Sequence, residues 1–146
     1  MSQENVDLVL GLQPRHDLDL VRAMRDGLSW AALSAVLAPA LAPDFTCVAR
    51  GVPGRDGDVW EGIEGLRKAW LEWLSPWEGY RTEVEEAIDL GDSVIVLVKD
   101  FARRAGDAHE VAQTSAAVWT VRDQRIRRIE FFSDRDMALK AVGLEG

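Results

Sequence analysis

Hydrophobic and polar positions alternate along the second half of the chain, in stretches separated by turn signals. Such two-residue alternation predicts strands with one buried face. The predicted strands are about Tyr80–Leu90, Ser93–Arg104, His109–Arg122 and Arg125–Ser133. The predicted turns between them are Gly91-Asp92, Gly106-Asp107 and Asp123-Gln124. This half of the chain is therefore predicted to be an antiparallel meander.

Apolar residues in the first half recur instead at the spacing of a helix face. A first predicted helix ends at Pro14. Three further helices are predicted at about Asp17–Asp26, Trp30–Ala38 and Ile63–Ser75. Gly27 is predicted to end the second helix and Ser29 to cap the third. A first strand, Asp44–Arg50, and a glycine-rich loop precede a short strand at Val59-Trp60, and a last helix starts at Ser133 or Asp134. The order predicts an α+β fold, with a bent, mostly antiparallel sheet wrapped around N-terminal helices and an internal pocket.

The turn at Gly106-Asp107 fixes which side chains share a face of the sheet. A tight turn there pairs Asp100 with Gln113 and Val98 with Ser115, and paired residues lie on the same face. The predicted pocket face holds Val96, Val98, Asp100, Ala102, Gln113, Ser115, Ala117 and Trp119. Small residues beside a Trp, with a carboxylate, an amide and a hydroxyl at one end, are typical of a lined cavity.

The opposite face of the same hairpin is also largely apolar. It holds Ile95, Leu97, Lys99, Phe101, Thr114, Ala116 and Val118. Left bare, this row would exceed what a monomer usually exposes. We therefore expect a homodimer through the outer face of the sheet, with Lys99 at its rim.

Length, charge and cysteine content narrow the class of protein. The 146 residues are the size of one domain, 1–146. The net charge of −8 argues against nucleic acid and anionic membranes as partners. One Cys and two His provide no disulfide and no zinc cluster, so we expect no metal and no cofactor. The polar start is unlike a signal peptide and no apolar run spans a bilayer, which predicts a cytoplasmic protein.

Four segments carry a resemblance to a known family. They are S-Q-E-N-V near the start, L-A-P-D-F before the first strand, V-W-T-V-R-D-x-x-I in the last hairpin and F-F-S-D-R-D-M-A-L-K-A-V-G-L near the end. Together they resemble the nuclear-transport-factor-2-like (NTF2-like) superfamily, in particular its SnoaL-like polyketide cyclase branch. The resemblance implies a cone-shaped α+β domain. It leaves the reaction open, since this superfamily includes isomerases, cyclases, epoxide hydrolases, dehydratases and binding domains.

The catalytic positions that the resemblance implies are mostly changed. The Arg-x-Asp pair of limonene epoxide hydrolase corresponds to Val98-x-Asp100. The last-strand acid of that enzyme and of the cyclases falls on or beside Phe131, and the oxyanion-stabilising Asp of ketosteroid isomerase falls near Ala117. Its base falls near Ala49 or Arg50, and its Tyr has no clear counterpart. Only Asp100 retains the family's chemistry.

Asp100 is accordingly the candidate catalytic residue, as a general base whose pKa is raised by an apolar pocket. The alternative is a structural Asp paired with Arg103, Arg104 or Gln113. Two orientations of the last strand remain open: a two-residue turn at Asp123-Gln124 points Glu130 and Arg128 inward, whereas a bulged turn points Ile129, Phe131 and Ser133 inward. The resemblance favours the bulged turn.

Several aromatic residues are candidates for the pocket wall. The predicted ligand contacts are Trp60, Val98, Gln113, Ser115, Ala117, Trp119 and Phe131. Trp70, Trp73 and Trp77 lie at helical spacing, which is typical of core, so at most one of them is assigned to the pocket.

Two functions follow from these residues. One is a domain that binds a small hydrophobic or aromatic molecule without a complete catalytic set. The other is a cofactor-independent isomerase, cyclase or hydratase, with Asp100 as base and Gln113 or Ser115 as its hydrogen-bond partner.

Overall fold

The computed structural model describes residues 2–52 and 54–144. Its helices are α1 (Ser2–Gly11), α2 (Leu20–Arg25), α3 (Gly27–Leu37), α4 (Gly62–Trp73) and α5 (Arg135–Ala141), with a 3-10 turn at Ala38–Ala40. No helix in these ranges is long and apolar enough to cross a membrane.

Six strands form one sheet, with the helices of the first half on one face. The strands are β1 (Leu41–Arg50), β2 (Val59–Glu61), β3 (Gly79–Asp89), β4 (Ser93–Arg103), β5 (Val111–Arg122) and β6 (Arg125–Phe132). Their order is β2-β1-β6-β5-β4-β3. Within the described residues, β1 and β6 form the one parallel pair, and the other neighbouring strands are antiparallel. The predicted α+β class is confirmed.

The predicted register of the β4–β5 hairpin is also confirmed. Asp100 pairs with Gln113 and Val98 with Ser115. β4 ends earlier than predicted, at Arg103, and β5 begins later than predicted, at Val111. The ladder therefore stops before the turn, and the connecting loop keeps the register because it is symmetric about Gly106-Asp107.

The β5–β6 connection settles the orientation of the last strand. Asp123 and Gln124 have φ of 53° and 63°, the left-handed values of a two-residue hairpin turn. The register then shifts between Val121 and Thr120, which leaves Arg127 as an extra residue on β6. This bulge reverses the side of the sheet on which each later side chain of β6 lies. Phe131 therefore pairs with Ala117 on the pocket face. The predicted orientation with Ile129, Phe131 and Ser133 inward is correct, but the turn itself is the two-residue one and the bulge lies further along, at Arg127.

A second bulge lies on β3. Val84 pairs with Val98 and Glu86 with Leu97, so Glu85 has no partner on β4. Arg135 at the start of α5 binds here: its Nη2 donates to the Val98 carbonyl oxygen at 2.7 Å and to Glu85 Oε1 at 2.6 Å. These bonds anchor α5 against the sheet.

Side chains from α1, α3 and α4 seal one end of the space between helices and sheet. We call it the closed end, and define it by Val9, Val94, Val96, Trp119, Ile126 and Ile129, all buried in one cluster. Phe45 and Cys47 of β1 belong to the same cluster. A second buried cluster joins α2 to Tyr80 and Ala102 at the other end of the sheet.

Helix α5 covers much of the sheet face that was predicted to be bare. Ile95, Leu97, Ala116 and Val118 are buried in a cluster with Phe132 and Ala138, against Leu139 and Val142. The expectation that this row lies open in the monomer is therefore wrong. Dimerisation through this face stays a prediction without that support, and light scattering that gives a mass near 16.2 kDa would contradict it.

Helix α3 starts earlier than predicted. Its cap is Asp26, whose carboxylate accepts from the Ser29 backbone N–H at 3.0 Å and from the Ser29 hydroxyl at 2.7 Å. Gly27 is thus the first helical residue and does not end α2 as a left-handed cap. Predicting Ser29 as the cap was wrong, since its backbone N–H and its hydroxyl both donate to Asp26.

Candidate functional site

A cavity of about 540 Å³ lies between the sheet and α2–α4. Its wall is mainly apolar, with contributions from all three of these helices and from β1, β3, β4, β5 and β6. The solvent-exposed members of the wall are Arg55, Glu72, Ser75, Pro76 and Gln113. The cavity therefore opens beside the C-terminal end of α4 and the loop after β1.

Polar groups gather at one part of the wall, which we call the cavity end and define by Asp100, Ser115, Tyr80 and Trp73. The Ser115 hydroxyl donates to Asp100 Oδ2 at 2.7 Å. The Trp73 Nε1–H donates to the Tyr80 hydroxyl oxygen at 2.8 Å. β4 and β5 place the first pair diagonally across the ladder, since Asp100 pairs with Gln113 and Ser115 with Val98. The end of α4 and the start of β3 bring the second pair against them.

Asp100 is a buried acid, with a residue exposure of 2 %. Burial raises its pKa because the charged form loses its hydration. The Ser115 hydrogen bond, the nearby Tyr80 hydroxyl and the positive charge of Arg135 each oppose this effect without cancelling it. Burial also raises the pKa of Tyr80, and the charge of Asp100 adds to that effect.

The arginines proposed as structural partners of Asp100 bind elsewhere. Arg103 Nη1 lies 3.2 Å from Glu78 Oε1. The Arg104 guanidinium stacks over Trp77, 5.1 Å from the ring centroid. Asp100 thus has a neutral hydroxyl donor in place of either predicted cation.

Most of the predicted ligand contacts lie in the wall of this cavity. Those that line it as half-buried side chains are Trp60, Val98, Ser115, Ala117 and Phe131, with Gln113 exposed at the opening. Trp119 borders the cavity too, but its residue exposure is only 7 % and it packs in the closed end. Trp119 is thus more a core residue than a ligand contact.

The assignment of the α4 tryptophans was wrong. Trp70, Trp73 and Trp77 all line the cavity. Trp70 makes edge contacts with Phe131 and Tyr80, at centroid distances of 5.6 and 6.2 Å. Trp70 and Trp73 share one face of α4 and Trp77 follows after the helix, but all three border a cavity and not a filled core.

Tyr80 is the site residue that sequence reasoning missed. In the sequence it marks only the start of a predicted strand. A usable signal was its position at the start of a strand, two residues from Thr82, which pairs with Asp100. Two-residue alternation then places Tyr80 and Thr82 on the pocket face.

The mouth of the cavity carries one basic side chain among its lining residues. Arg55, in the loop after β1, forms an ion pair with Glu72 of α4 at 3.1 Å. Ser133 donates to the Gly51 carbonyl oxygen at 2.7 Å and so holds the start of this loop. Over the described residues, no cluster of His, Cys, Asp and Glu has the arrangement of a metal site.

Comparison with known proteins identifies the family to which the chain belongs. The fold, N-terminal helices against a six-stranded, mostly antiparallel sheet, is that of the NTF2-like superfamily. A family model described as a SnoaL-like domain matches residues 21–129. The chain therefore belongs to the SnoaL-like domain family, as the resemblance predicted. No functionally curated protein matches it.

Three solved structures illustrate the likeness. A SnoaL-like polyketide cyclase candidate from Jannaschia sp. CCS1 is 18% identical, with a TM-score of 0.64 over 99% of this chain and 94% of that one. TerC co-crystallised with polyporic acid is 20% identical, with a TM-score of 0.63 over 95% and 97%. A ketosteroid isomerase-like protein from Catenulispora acidiphila, in complex with trimethylamine, is 17% identical, with a TM-score of 0.57 over 90% and 95%. At these identities the likeness is one of fold.

Proposed function

We propose that the protein binds a small hydrophobic or aromatic molecule in the cavity between the sheet and α2–α4. The observation that carries this proposal is the cavity itself. Its volume of about 540 Å³ falls within the range of about 300–1,000 Å³ for ligand pockets, and its mainly apolar wall holds a few convergent polar groups. Relatives of similar fold were crystallised with polyporic acid and with trimethylamine, which supports the use of this fold for small molecules.

A binding role without the family's reactions fits the residues present. The resemblance puts the acid of ketosteroid isomerase near Ala117 and that of the cyclases on or beside Phe131, and both residues are apolar parts of the wall. They pair directly across β5 and β6. The apolar surface that they form favours retention of a ligand over its conversion.

The test is binding of 1-aminoanthracene, a neutral aromatic fluorophore at pH 8, followed by its emission. We expect saturable binding to one site per chain in the wild type. Ala117→Phe fills the cavity and should abolish binding. The matched control is Ala112→Phe on the same strand, since Ala112 is exposed and absent from the cavity wall. Equal binding by both variants, with circular dichroism showing both folded, would contradict the proposal.

A second candidate function is proton transfer by Asp100 without a cofactor. The observation that favours it is a buried carboxylate with a raised pKa and a hydroxyl donor at 2.7 Å. A base poised in this way can remove a proton next to a carbonyl group. We expect faster deuterium uptake by 4-phenyl-2-butanone in D₂O with the wild type than with Asp100→Asn, measured by NMR. Equal rates would exclude this role for that substrate class.

A further inference from the structure

We infer that the preferred ligand is a cation: an ammonium group carried on an apolar body, with the ammonium against the aromatic wall beside Asp100. The inference rests on the proposed function, because it names the ligand class for the same cavity. Three features of the cavity end support it.

The first feature is a buried acid that forms no ion pair with a basic side chain in the described part of the structure, where Arg135 acts on it only at a distance. The arginines nearest to it along the chain, Arg103 and Arg104, bind Glu78 and Trp77. Arg135 lies behind the sheet, where its guanidinium is held by Glu85 and the Val98 carbonyl oxygen. A buried carboxylate is costly unless a positive charge compensates it, and the cavity is where that charge has room.

The second feature is the aromatic wall next to this acid. Its rings are those of Trp70, Trp73, Trp77, Tyr80 and Phe131. They form one connected group, since Trp70 contacts Phe131 and Tyr80, Trp77 lies 6.4 Å from Tyr80, and Trp73 donates to the Tyr80 hydroxyl. Aromatic rings attract ammonium groups through their quadrupole, most strongly where water is excluded.

The third feature is the charge of the remaining wall. Arg55 is the one basic side chain among the residues that line the cavity, and Glu72 neutralises it at the mouth. Inside the mouth, the charge that borders the cavity is that of Asp100. In surroundings of low effective dielectric, a charge that only the more distant Arg135 compensates in part dominates the field over several ångströms. An ammonium is therefore attracted mainly by the carboxylate, and in addition by the rings.

The rival arrangement is a neutral ligand with a carbonyl group, hydrogen-bonded by a protonated Asp100. The two differ in pH dependence, because the cation needs the ionised acid and the carbonyl needs the protonated one. The other groups that act on Asp100 are Tyr80 on β3, Ser115 and Gln113 on β5, and Arg135 on α5. Arg55 and Glu72 stay at the mouth.

The experiment uses three probes of nearly the same shape, each measured by displacement of 1-aminoanthracene at pH 8. They are N,N-dimethyl-2-phenylethylamine, its carbon isostere (3-methylbutyl)benzene and the ketone 4-phenyl-2-butanone. An alkylamine is protonated at this pH. We expect the amine to bind at least about tenfold more tightly than the hydrocarbon, since unit charges a few ångströms apart near a protein surface interact by several kcal/mol.

Two variants assign the preference to Asp100. Asp100→Asn should lose most of the preference for the amine over the hydrocarbon. Asp107→Asn removes the same charge from an exposed position and should keep the wild-type preference. As the pH falls through the pKa of Asp100, the wild type should lose affinity for the amine, while Asp100→Asn should show no such loss.

The outcomes separate this inference from the proposed function. Equal affinities for amine and hydrocarbon in the wild type would overturn the inference and leave the proposed function intact. Tightest binding of the ketone, strengthening at low pH, would overturn it in favour of a protonated Asp100. Failure of 1-aminoanthracene and of all three probes to bind would overturn both.

Discussion

The closed end and the cavity end are built from the same strands but differ in what the strands carry. Along β4, Val94 and Val96 are completely buried among apolar neighbours, whereas Asp100 further along the same face borders the cavity. Along β5, Trp119 belongs to the closed end and Ser115 to the cavity end. One pattern of alternation thus supports packing at one end and polar chemistry at the other.

This difference teaches where stability and function reside. Apolar groups in the closed end gain free energy from burial alone. Polar groups in the cavity end gain little from burial and depend on partners such as Ser115 and Trp73. Substitutions at the closed end should therefore change stability most, and those at the cavity end should change binding and pH dependence.

The largest effect is expected at Trp119. Trp119→Ala should lower the free energy of unfolding by about 3–5 kcal/mol, because it leaves a void among packed side chains. Trp119→Phe is the matched control. The Trp119 Nε1–H is buried without a partner in the described part of the structure, so Phe removes an unpaired donor together with the extra volume. Urea unfolding measures the loss of stability in both variants. Equal losses would show that the void is not the cause of the loss in Trp119→Ala.

The next effect concerns the Ser115 hydroxyl. Ser115→Ala should lower the free energy of unfolding at pH 8 by about 1.5–3 kcal/mol, since the hydroxyl donates to a charged carboxylate. The loss should be smaller near pH 4, where Asp100 becomes neutral. In an Asp100→Asn background, the same substitution should cost less at both pH values. A loss independent of both pH and background would assign Ser115 to packing alone.

A smaller effect, of opposite sign, is expected for Asp100→Asn. The pKa of Asp100 is raised in the folded protein by burial, so folding favours its neutral form. Its stabilising contribution is complete below the unfolded pKa of about 3.9 and is lost as pH rises through the folded pKa. Asn stays neutral throughout. The variant should therefore be more stable than the wild type at pH 8, with a smaller difference at pH 5.

Urea unfolding at the two pH values decides this prediction. Loss of stability in Asp100→Asn at pH 8 would mean that its carboxylate is stabilised by the fold as a structural ion-pair or hydrogen-bond partner. The cavity end would then lack an acid available to a ligand. Asp107→Asn provides the control for the change in net charge.

The smallest effect is at Cys47, in the closed end. Burial raises the pKa of its thiol to about 12, and its side chain is inaccessible. We expect no reaction with a thiol reagent such as 5,5′-dithiobis(2-nitrobenzoic acid) at pH 8 until the protein unfolds in urea. Labelling of the native protein within minutes would show that the closed end opens readily.

Local sequence signals predicted much of the fold and part of the site. A turn fixes the register of the strands beside it, so Asp100, Gln113, Val98 and Ser115 could be placed on one face from the sequence. The same reasoning left β6 ambiguous, because a single extra residue, Arg127, reverses the facing of the strand.

What the sequence did not predict depends on contacts between elements distant along the chain. Tyr80 meets Trp73 because the end of α4 reaches the start of β3, and α5 covers the outer sheet face through apolar packing and the binding of Arg135 at the Glu85 bulge. The helical spacing of Trp70 and Trp73 could not distinguish a filled core from a cavity wall. Whether a helix face packs in a core or lines a cavity depends on how fully the neighbouring side chains fill the space. The spacing of residues along the sequence carries no information about this.

The most direct test of ligand binding in the cavity is a crystal soaked with 4-bromophenol, in which anomalous scattering locates the bromine. We predict one bromine peak inside the cavity, in contact with Trp70 or Phe131, and its loss in Ala117→Phe. Bromine peaks confined to the protein surface, with the cavity of the wild type free of density, would contradict the account.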